Sequence, residues 1–455
     1  MVVMKFGGTS VEDAPAMRRV IEIVKREIPR TPLVIVSACA GVTNDLLRMA
    51  NAVRSGKREE AQEILMKLSL RHKQIAKDLL SGTVLKNVSN TIDEMSGELS
   101  NYVQGVHLLG ELTARSLDAF ASYGERFSSL ILHSAFQNGG IAAHLIDARS
   151  VMITDDNYTV AQPLFERIDK TVKKIFTPLV KPGNVLISQG FIGSTVEGTT
   201  TTIGRGGSDY SAAIFGAALG AEEIQIWTDV DGMMTADPRI VPGAHLIESM
   251  SFDEASELAY FGAKVLHPNT ILPAVRKNIP VRVLNSKKPE IKGTLILPGN
   301  LESRKTDNVA KSIAFKKGIT VINVNSSRML MAHGFLAKLF SIFADHQKSI
   351  DVVSTSEVSV SVTIDDEDGL DMLCAELEKI GETRVQKHKA IVCIVGEGMK
   401  HTPGIGARIF SALGASGINI EMVSEGASEI NLTLVVDENQ AASAVKVLHK
   451  EFFGN

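Results

Sequence analysis

The chain has few of the residues that mark secreted or metal-binding proteins. Its 455 residues include only three cysteines, Cys39, Cys374 and Cys393, whose spacing fits neither a disulfide framework nor a metal-ligand motif. Because disulfides belong to oxidising compartments, this composition predicts a cytoplasmic protein with reduced thiols. The eleven histidines form no His-x3-His pair, so the sequence predicts no metal site built by the protein itself.

Charge and hydrophobicity argue against two further classes of partner. The chain has 48 Lys and Arg against 52 Asp and Glu, and without a basic excess we expect no nucleic acid and no anionic membrane as partner. No segment approaches the ~20 apolar residues of a membrane helix, and the N-terminus lacks the pattern of a signal peptide. The length predicts two or three domains.

The N-terminal segment Lys5-Phe-Gly-Gly-Thr-Ser10 follows a short apolar stretch, which predicts a buried strand that ends in a glycine turn. Without Cβ atoms, Gly7 and Gly8 let backbone N–H groups approach an anion, and Lys5 adds a point charge suited to phosphate. A glycine pair is more often only a tight turn. The P-loop pattern is absent and the glycines near Gly396 do not form a Rossmann fingerprint, so any phosphate site is of another kind.

Apolar segments that alternate with helical periodicity predict an α/β domain with a largely parallel sheet over residues 1–290. A helical layer is expected over 44–135, including helices at 61–80 and 108–136. The predicted strands are 1–8, 32–38, 143–147, 184–188, 224–227 and 281–284, the last of which is expected to close the sheet. Residues 291–308 are polar and predict a linker.

The C-terminal part contains an internal repeat whose two copies are related by an offset of 70 residues, with a two-residue slip before Ser356 and Ser428. Gly334-Phe-Leu-Ala-Lys-Leu-Phe-Ser matches Gly404-Ile-Gly-Ala-Arg-Ile-Phe-Ser, and Ile350-Asp-Val-Val-Ser matches Ile420-Glu-Met-Val-Ser. The copies, 317–389 and 390–455, resemble the ACT domain, a βαββαβ module that pairs with another copy and binds amino acids at the interface. The second copy ends one strand short. Because sheet edges are usually covered, we predict that 309–316 supplies this strand and that the first copy is inserted within the second.

A second glycine-rich turn, Gly204-Arg-Gly-Gly-Ser-Asp209, precedes a predicted helix. Helix N-termini favour anions, and the planar fork of Arg205 suits a carboxylate. Ser208 or Asp209 by itself could be only an N-cap. Three more segments, 122–126, 227–239 and 261–268, carry charged side chains, although each alone could be a capped turn or a solvated face.

In order and spacing, these segments together with residues 5–10 resemble the aspartokinases over essentially the whole chain. The resemblance implies the amino acid kinase fold followed by two ACT-like βαββαβ modules. It implies phosphorylation of the β-carboxylate of L-aspartate to 4-phospho-L-aspartate by ATP, with Mg2+ bound mainly through the phosphates, as the first step towards lysine, threonine and methionine. It also implies feedback inhibition by lysine and a homodimer through the ACT domains, or a tetramer. Two alternatives stay open: another kinase of this fold, acting on glutamate, acetylglutamate or a nucleoside monophosphate, and a catalytically inert amino-acid sensor.

The resemblance assigns roles to individual residues. The catalytic residues are Lys5 and Asp209. The substrate is bound by Ser37, Thr43, Glu125, Arg205, Gly206, Gly207 and Ser208, with Glu125 on its ammonium and Arg205 on a carboxylate. The nucleotide is bound by Lys5, Gly7, Gly8, Thr228, Asp229, Met234, Arg239, Lys264 and Val265, with Met234 where the family often has Tyr. The effector is bound by Met329, Gly334, Phe335, Leu336, Ser349, Ile350, Asp351, Ser356, Glu357 and Val358. Asp351 and Glu357 supply charge for an ε-ammonium, which threonine lacks.

Overall fold

The chain divides into two compact units, Met1–Met233 with Val265–Pro298 and Met234–Lys264 with Gly299–Asn455. The computed structural model describes residues 1–260, 268–298, 309–329, 333–399, 402–425 and 430–454. The strands are β1 Val2–Phe6, β2 Leu33–Val36, β3 Ala143–Ile146, β4 Val185–Gln189, β5 Ile192–Ser194, β6 Thr200–Thr202, β7 Glu223–Thr228, β8 Ser249–Ser251, β9 Val281–Asn285, β10 Thr294–Leu297, β11 Ser312–Asn325, β12 Val353–Thr355, β13 Ser359–Ile364, β14 Glu382–Val395, β15 Met422–Glu425 and β16 Asn431–Asp437. The α-helices are α1 Ala14–Glu27, α2 Val42–Arg54, α3 Arg58–Leu79, α4 Gly82–Leu109, α5 Ala114–Asn138, α6 Phe165–Ile175, α7 Gly207–Leu219, α8 Phe252–Tyr260, α9 Pro268–Arg276, α10 Phe335–Asp345, α11 Leu370–Leu377, α12 Ile405–Ala415 and α13 Ala441–Phe453.

The first unit is built on a largely parallel sheet with the strand order β3-β4-β2-β1-β7-β9-β10. All pairs are parallel except β9 with β10. The strands β2 and β4 are buried along their whole length, as is typical of parallel strands covered by helices on both faces. β1 lies between its sequence neighbour β2 and the much later β7. In such a sheet, ligands bind where the strand order reverses, beyond the carboxyl ends of the strands.

The helical layer consists of α2 to α5, whose apolar residues form one core cluster with the sheet. The helix expected at 108–136 is two helices, because α4 ends at Gly110, which has a φ of 69°. α5 then begins after Thr113, whose hydroxyl accepts a hydrogen bond from the backbone N–H of Ser116. Among the helices described, none is both long and apolar enough to cross a membrane.

The structure differs from the prediction at two places in the first domain. The sheet does not close at 281–284, and the expected linker 291–308 contains β10, which pairs antiparallel with β9. The turn needs Gly293, since its φ is 66° and a Cβ would lie 2.0 Å from the carbonyl oxygen of Val283. The second difference is that residues 234–264, expected within the 1–290 domain, belong to the second unit, where Ala236 and Val241 join an apolar cluster with β14 and α13.

The second unit contains one six-stranded sheet with the order β12-β13-β11-β14-β16-β15. Its two central strands, β11 and β14, are each 14 residues long and run through both repeat copies. Ser312–Lys316 lies antiparallel to Ile391–Val395 of the second copy, while Thr320–Asn325 pairs with β13 of the first. The register shifts around Ile319, where β11 passes from one copy to the other.

Candidate active site

The glycine turn after β1 lies at the carboxyl ends of three neighbouring strands. The backbone N–H of Gly7 donates to the carbonyl of Trp227 at the end of β7 (3.0 Å). The carbonyl of Gly8 accepts from the N–H of Ala40, in the loop after β2 (3.1 Å). The 37–41 loop is thereby held beside the turn that follows Lys5.

Helix α5 brings a carboxylate to the same place. A Cβ on Gly124 would lie 2.6 Å from the Cβ of Ala38, so only glycine allows the helix to pack this closely against the 37–41 loop. The hydroxyl of Ser128 donates to the carbonyl of Ser37 at 2.7 Å and fixes the contact. Glu125, which follows Gly124 in α5, is therefore placed beside the loop.

These elements surround a cavity of about 340 Å³. Ten residues predicted for substrate, nucleotide or catalysis line it: Lys5, Gly8, Ser37, Thr43, Glu125, Arg205, Gly206, Gly207, Ser208 and Asp209. No role was predicted for the other lining residues, Ala38, Cys39, Ala40, Gly41, Asn44, Phe191 and Gly204. These are mostly small residues whose backbone forms the wall, and residue type alone gives no signal for that role.

Lys5 and Asp209 form an ion pair within the cavity. The Nζ atom of Lys5 lies 2.7 Å from Oδ1 of Asp209, and the side chains are only 12% and 15% exposed. Lys5 is on β1 and Asp209 is in the first turn of α7. The carboxylate thus fixes the direction of the lysine ammonium, which is the kind of preorganised charge that phosphoryl transfer uses.

Glu125 is a buried carboxyl group with unused hydrogen-bonding capacity. It is 3% exposed, and its Oε2 atom has no hydrogen-bond partner among the described residues. Burial raises the pKa of Glu125 to about 8, against the smaller opposing effect of backbone groups at Ala38 and Glu125 itself. Such a group is stabilised in its charged form by a cation that enters the cavity.

The rest of the cavity wall favours anions. Helices α2 and α7 both begin there, and neither has a side chain that caps its first turn, so backbone N–H groups remain available to a ligand. Arg205, in the turn before α7, is exposed and forms no ion pair with the rest of the described chain. The site therefore combines one carboxylate for a cation with several donors for negative charge, which suits a small acidic amino acid beside a phosphate.

Arg71 on α3 was not predicted, although it supports the cavity wall. Its guanidinium donates to the carbonyls of Ala40 (2.9 Å) and Glu12 (3.1 Å). The thiol of Cys39 makes a parallel link to the carbonyl of Val11 at 3.0 Å. The 37–41 loop is thereby clamped to the segment that follows the glycine turn. A single arginine on a polar helix carries no sequence signal for this role.

The residues predicted for the nucleotide are distributed differently. Thr228 is the last residue of β7 and Asp229 follows it, next to the end of β1. Met234 and Arg239 belong to the second unit, where Arg239 forms two-pronged hydrogen bonds with Asp237 at 2.6–3.1 Å. Lys264 and Val265 lie outside the described residues.

The residues predicted for the effector lie in the first repeat copy of the second unit. Gly334, with a φ of 82°, is the N-cap of α10, and Leu336 in the first turn of that helix is 38% exposed. Glu357 is exposed in the turn before β13. The other predicted members are Met329 in the turn after β11, Phe335 in α10, Ser349 and Ile350 before β12, and Ser356 and Val358 before β13. Asp351, however, is not free in the structure, since Lys316 and Tyr260 already bind its carboxylate.

A cavity of about 310 Å³ occupies the corresponding helix start of the second copy. It is lined by Met399, Thr402, Gly404, Ile405, Gly406, Glu425 and Leu432. Met399, Gly404 and Ile405 are the repeat equivalents of Met329, Gly334 and Phe335. Gly334 and Gly404 both precede a helix in the left-handed conformation, with φ of 82° and 88°, so the sequence repeat is also a repeat of local backbone geometry.

Comparison with known proteins agrees with this architecture. The family model described as "Amino acid kinase family" matches residues 1–285, and that described as "ACT domain" matches residues 322–373 and 392–452. The lysine-sensitive aspartokinase 3 of Escherichia coli is 37% identical over 470 residues, covering 100% of this chain and 99% of that protein.

Two crystal structures of E. coli aspartokinase III are also similar, both at 36% identity. The complex with aspartate and ADP, designated the R-state, has a TM-score of 0.83 and covers all of both chains. The complex with lysine and aspartate, designated the T-state, has a TM-score of 0.82 and covers 100% of this chain and 99% of that one. With matches of this extent in sequence and in structure, the chain belongs to the aspartokinases, within the amino acid kinase family.

Proposed function

We propose that the cavity around Lys5 binds L-aspartate and that the enzyme transfers the γ-phosphoryl group of ATP to its β-carboxylate, forming 4-phospho-L-aspartate. The observation that carries this proposal is the charge pattern of the cavity. An unpaired buried Glu125 and an exposed Arg205 lie around the Lys5–Asp209 ion pair. Aspartate has one ammonium and two carboxylates, and this wall offers groups of opposite charge to all three.

The proposed roles follow from charge. Glu125 binds the substrate ammonium, and Arg205, with the N-terminus of α7 at Gly206, Gly207 and Ser208, binds a carboxylate. Ser37 and Thr43 hold the substrate from the opposite loop. The unperturbed pKa of an aspartate side chain is about 3.9, so the attacking carboxylate is already ionised at neutral pH and needs no general base. The reaction needs two anions to be aligned and neutralised.

The phosphate side of the site is assigned to the glycine turn. Gly7 and Gly8 offer backbone close to Lys5, whose charge stabilises the phosphoryl group as it transfers, and Asp209 orients that lysine. No cluster of three or more potential metal ligands occurs among the described residues, so we propose that Mg2+ arrives bound to ATP. The metal ion supplies neutralisation of phosphate charge.

The test is ADP release measured directly by chromatography with L-aspartate, glutamate, acetylglutamate, a nucleoside monophosphate or no acceptor, each with and without EDTA. We expect release with aspartate, loss of release in EDTA, and hydroxylamine-reactive acyl phosphate equal to the ADP formed. Release with glutamate, acetylglutamate or a nucleoside monophosphate but not with aspartate would favour another kinase of this fold. No release with any acceptor would favour a sensor.

Arg71→Met is expected to raise the KM for aspartate by about tenfold and to change kcat less. Without the guanidinium, the carbonyls of Ala40 and Glu12 lose their shared partner, and the loop with Ser37 and Thr43 is no longer preorganised. Steady-state kinetics on both substrates measures this. Arg71→Lys should recover part of the aspartate KM, and Lys67→Met, on an exposed position of the same helix, is the control. An unchanged KM for aspartate with a lowered thermal midpoint would leave Arg71 only a structural role.

We further propose that lysine is the inhibitor and that the ACT copies pair two chains into a homodimer, which could assemble further into a tetramer. The lysine-sensitive E. coli relative and its lysine complex support the choice of effector. The acidic residues Asp351 and Glu357 supply charge suited to an ε-ammonium. A solution mass of one chain by light scattering, with lysine present, would contradict the dimer.

A further inference from the structure

Asp351, the buried acid of the proposed effector site, already holds a lysine side chain of the protein itself. The Nζ atom of Lys316 lies 2.9 Å from Oδ2 of Asp351 and 2.8 Å from Oδ2 of Asp365. The hydroxyl of Tyr260 donates to Oδ1 of Asp351 at 2.7 Å. Both oxygens of Asp351 are thus engaged, and its side chain is only 3% exposed.

Both oxygens of Asp351 already accept a hydrogen bond, so an entering ammonium group would have to compete with Lys316 for this carboxylate. Lys316 also lies 5.6 Å from the ring centre of Tyr260, so its charge is held by two carboxylates and an aromatic face. Its side chain is 24% exposed, and a route from solvent to this ion pair therefore exists. The butylammonium chain of Lys316 has the same chemistry as that of free lysine.

We propose that Lys316 is an internal competitor of the effector: free lysine binds Asp351 only when the ammonium of Lys316 has left it. This inference rests on the proposed regulation by lysine. Because the exchange replaces one ammonium group on the buried carboxylate by another, the electrostatic free energy changes little. The strength of the internal ion pair then sets the lysine concentration at which inhibition begins.

Lys316 lies where its displacement would affect other elements of the second unit. It stands in the part of β11 that pairs with the second repeat copy, opposite Ile391. Tyr260 is the last residue of α8, which also contacts the second copy, since the side chain of Glu257 accepts from Asn431 and that of Glu254 accepts from the N–H of Glu397. The residues that follow α8 are the 261–268 motif assigned to the nucleotide. Loss of the Lys316 contact therefore alters an ion pair that joins both copies and the end of α8.

The test compares lysine binding to the full-length wild type, Lys316→Met and Lys316→Arg by calorimetry, together with inhibition of ADP release. Met keeps the length and apolar stem but leaves Asp351 as a buried, uncompensated charge that favours a cation from solution. We expect Lys316→Met to lower both the dissociation constant and the half-inhibitory concentration of lysine by at least about tenfold. Lys316→Arg should stay close to wild type, because it keeps the cation. Lys317→Met, at the exposed next position of β11, is the matched control and should change neither quantity.

The outcomes separate the two proposals. Lysine binding in Lys316→Met but not in wild type would support competition by Lys316 that is strong enough to exclude free lysine. If wild type binds lysine and a folded Lys316→Met binds it equally or more weakly, Lys316 is not a competitor, and the proposed regulation by lysine is unaffected. Absence of binding in every variant, with aspartate phosphorylation intact, would overturn both. If Lys316→Met does not fold, a Lys316→Arg protein whose lysine affinity differs more than about tenfold from wild type would overturn the simple exchange of ammonium groups.

Discussion

Lys5→Met is expected to lower kcat by about three orders of magnitude while the fold is retained. The ammonium of Lys5 is nearly buried and held 2.7 Å from Asp209, so it does not have to reorganise as charge develops on the phosphoryl group. A preorganised charge of this kind contributes about 4 kcal/mol to the barrier, which corresponds to roughly a thousandfold in rate. Turnover is measured as ADP release at saturating aspartate and ATP.

A control is needed for the unpaired charge of Asp209 in Lys5→Met. Lys5→Met leaves Asp209 unpaired in the cavity wall, which costs stability. The double variant Lys5→Met with Asp209→Asn removes both charges and should recover thermal stability without recovering activity. Lys25→Met, at an exposed lysine on α1 that pairs with Glu22, should leave kcat unchanged. Wild-type turnover in folded Lys5→Met would refute the catalytic role.

Glu125→Gln is expected to abolish aspartate binding and, at the same time, to stabilise the free enzyme above neutral pH. Burial raises the pKa of this carboxyl from 4.5 to about 8 in the folded protein. The neutral form is therefore preferred on folding. The contribution of Glu125 to the free energy of unfolding is therefore fully present below pH 4.5. It falls as the pH rises towards 8 and is constant above that. The loss reaches about 5 kcal/mol at most, and the neutral amide of Gln avoids it.

The same shift predicts the pH dependence of substrate binding. The ammonium of aspartate requires Glu125 to be ionised, so the KM for aspartate should fall as pH rises from 6 to 8 and then level off.

Denaturant unfolding at pH 5 and pH 8 measures the difference in stability between wild type and Glu125→Gln. A stability of Glu125→Gln that does not differ from wild type at pH 8 would contradict the raised pKa.

Glu98→Gln is the control of opposite sign for this stability measurement. Burial acts to raise the pKa of Glu98, but hydrogen bonds from Tyr123 and Arg126 and the charge of Arg126 together outweigh it, so the pKa is lowered. The charged form is therefore the one that folding favours, and removing the charge should cost stability at pH 8.

Local sequence determined much of what this protein is. The apolar runs at 33–36 and 185–189 indicated buried parallel strands because residues covered on both faces have no polar alternation. The glycine turns around Gly7 and Gly206 indicated anion sites because absent Cβ atoms expose backbone N–H groups. The repeat that relates Gly334 to Gly404 indicated two modules of one kind. Each of these features depends on residues close together in the chain or on a pattern that recurs along it.

The tertiary structure decided what depends on residues far apart. Packing of Gly124 on Ala38 brings Glu125 to Lys5 and Asp209, and the raised pKa of Glu125 exists only in that packed environment. The long strands β11 and β14 merge the two copies into one sheet, and 234–264 packs with the second unit because its apolar residues find partners there. The pairing of Lys316 with Asp351 likewise joins β11 to the segment before β12, within the chain's second unit. Periodicity and motifs report which face of an element is buried, whereas these contacts depend on which elements meet, and only the packed chain determines that.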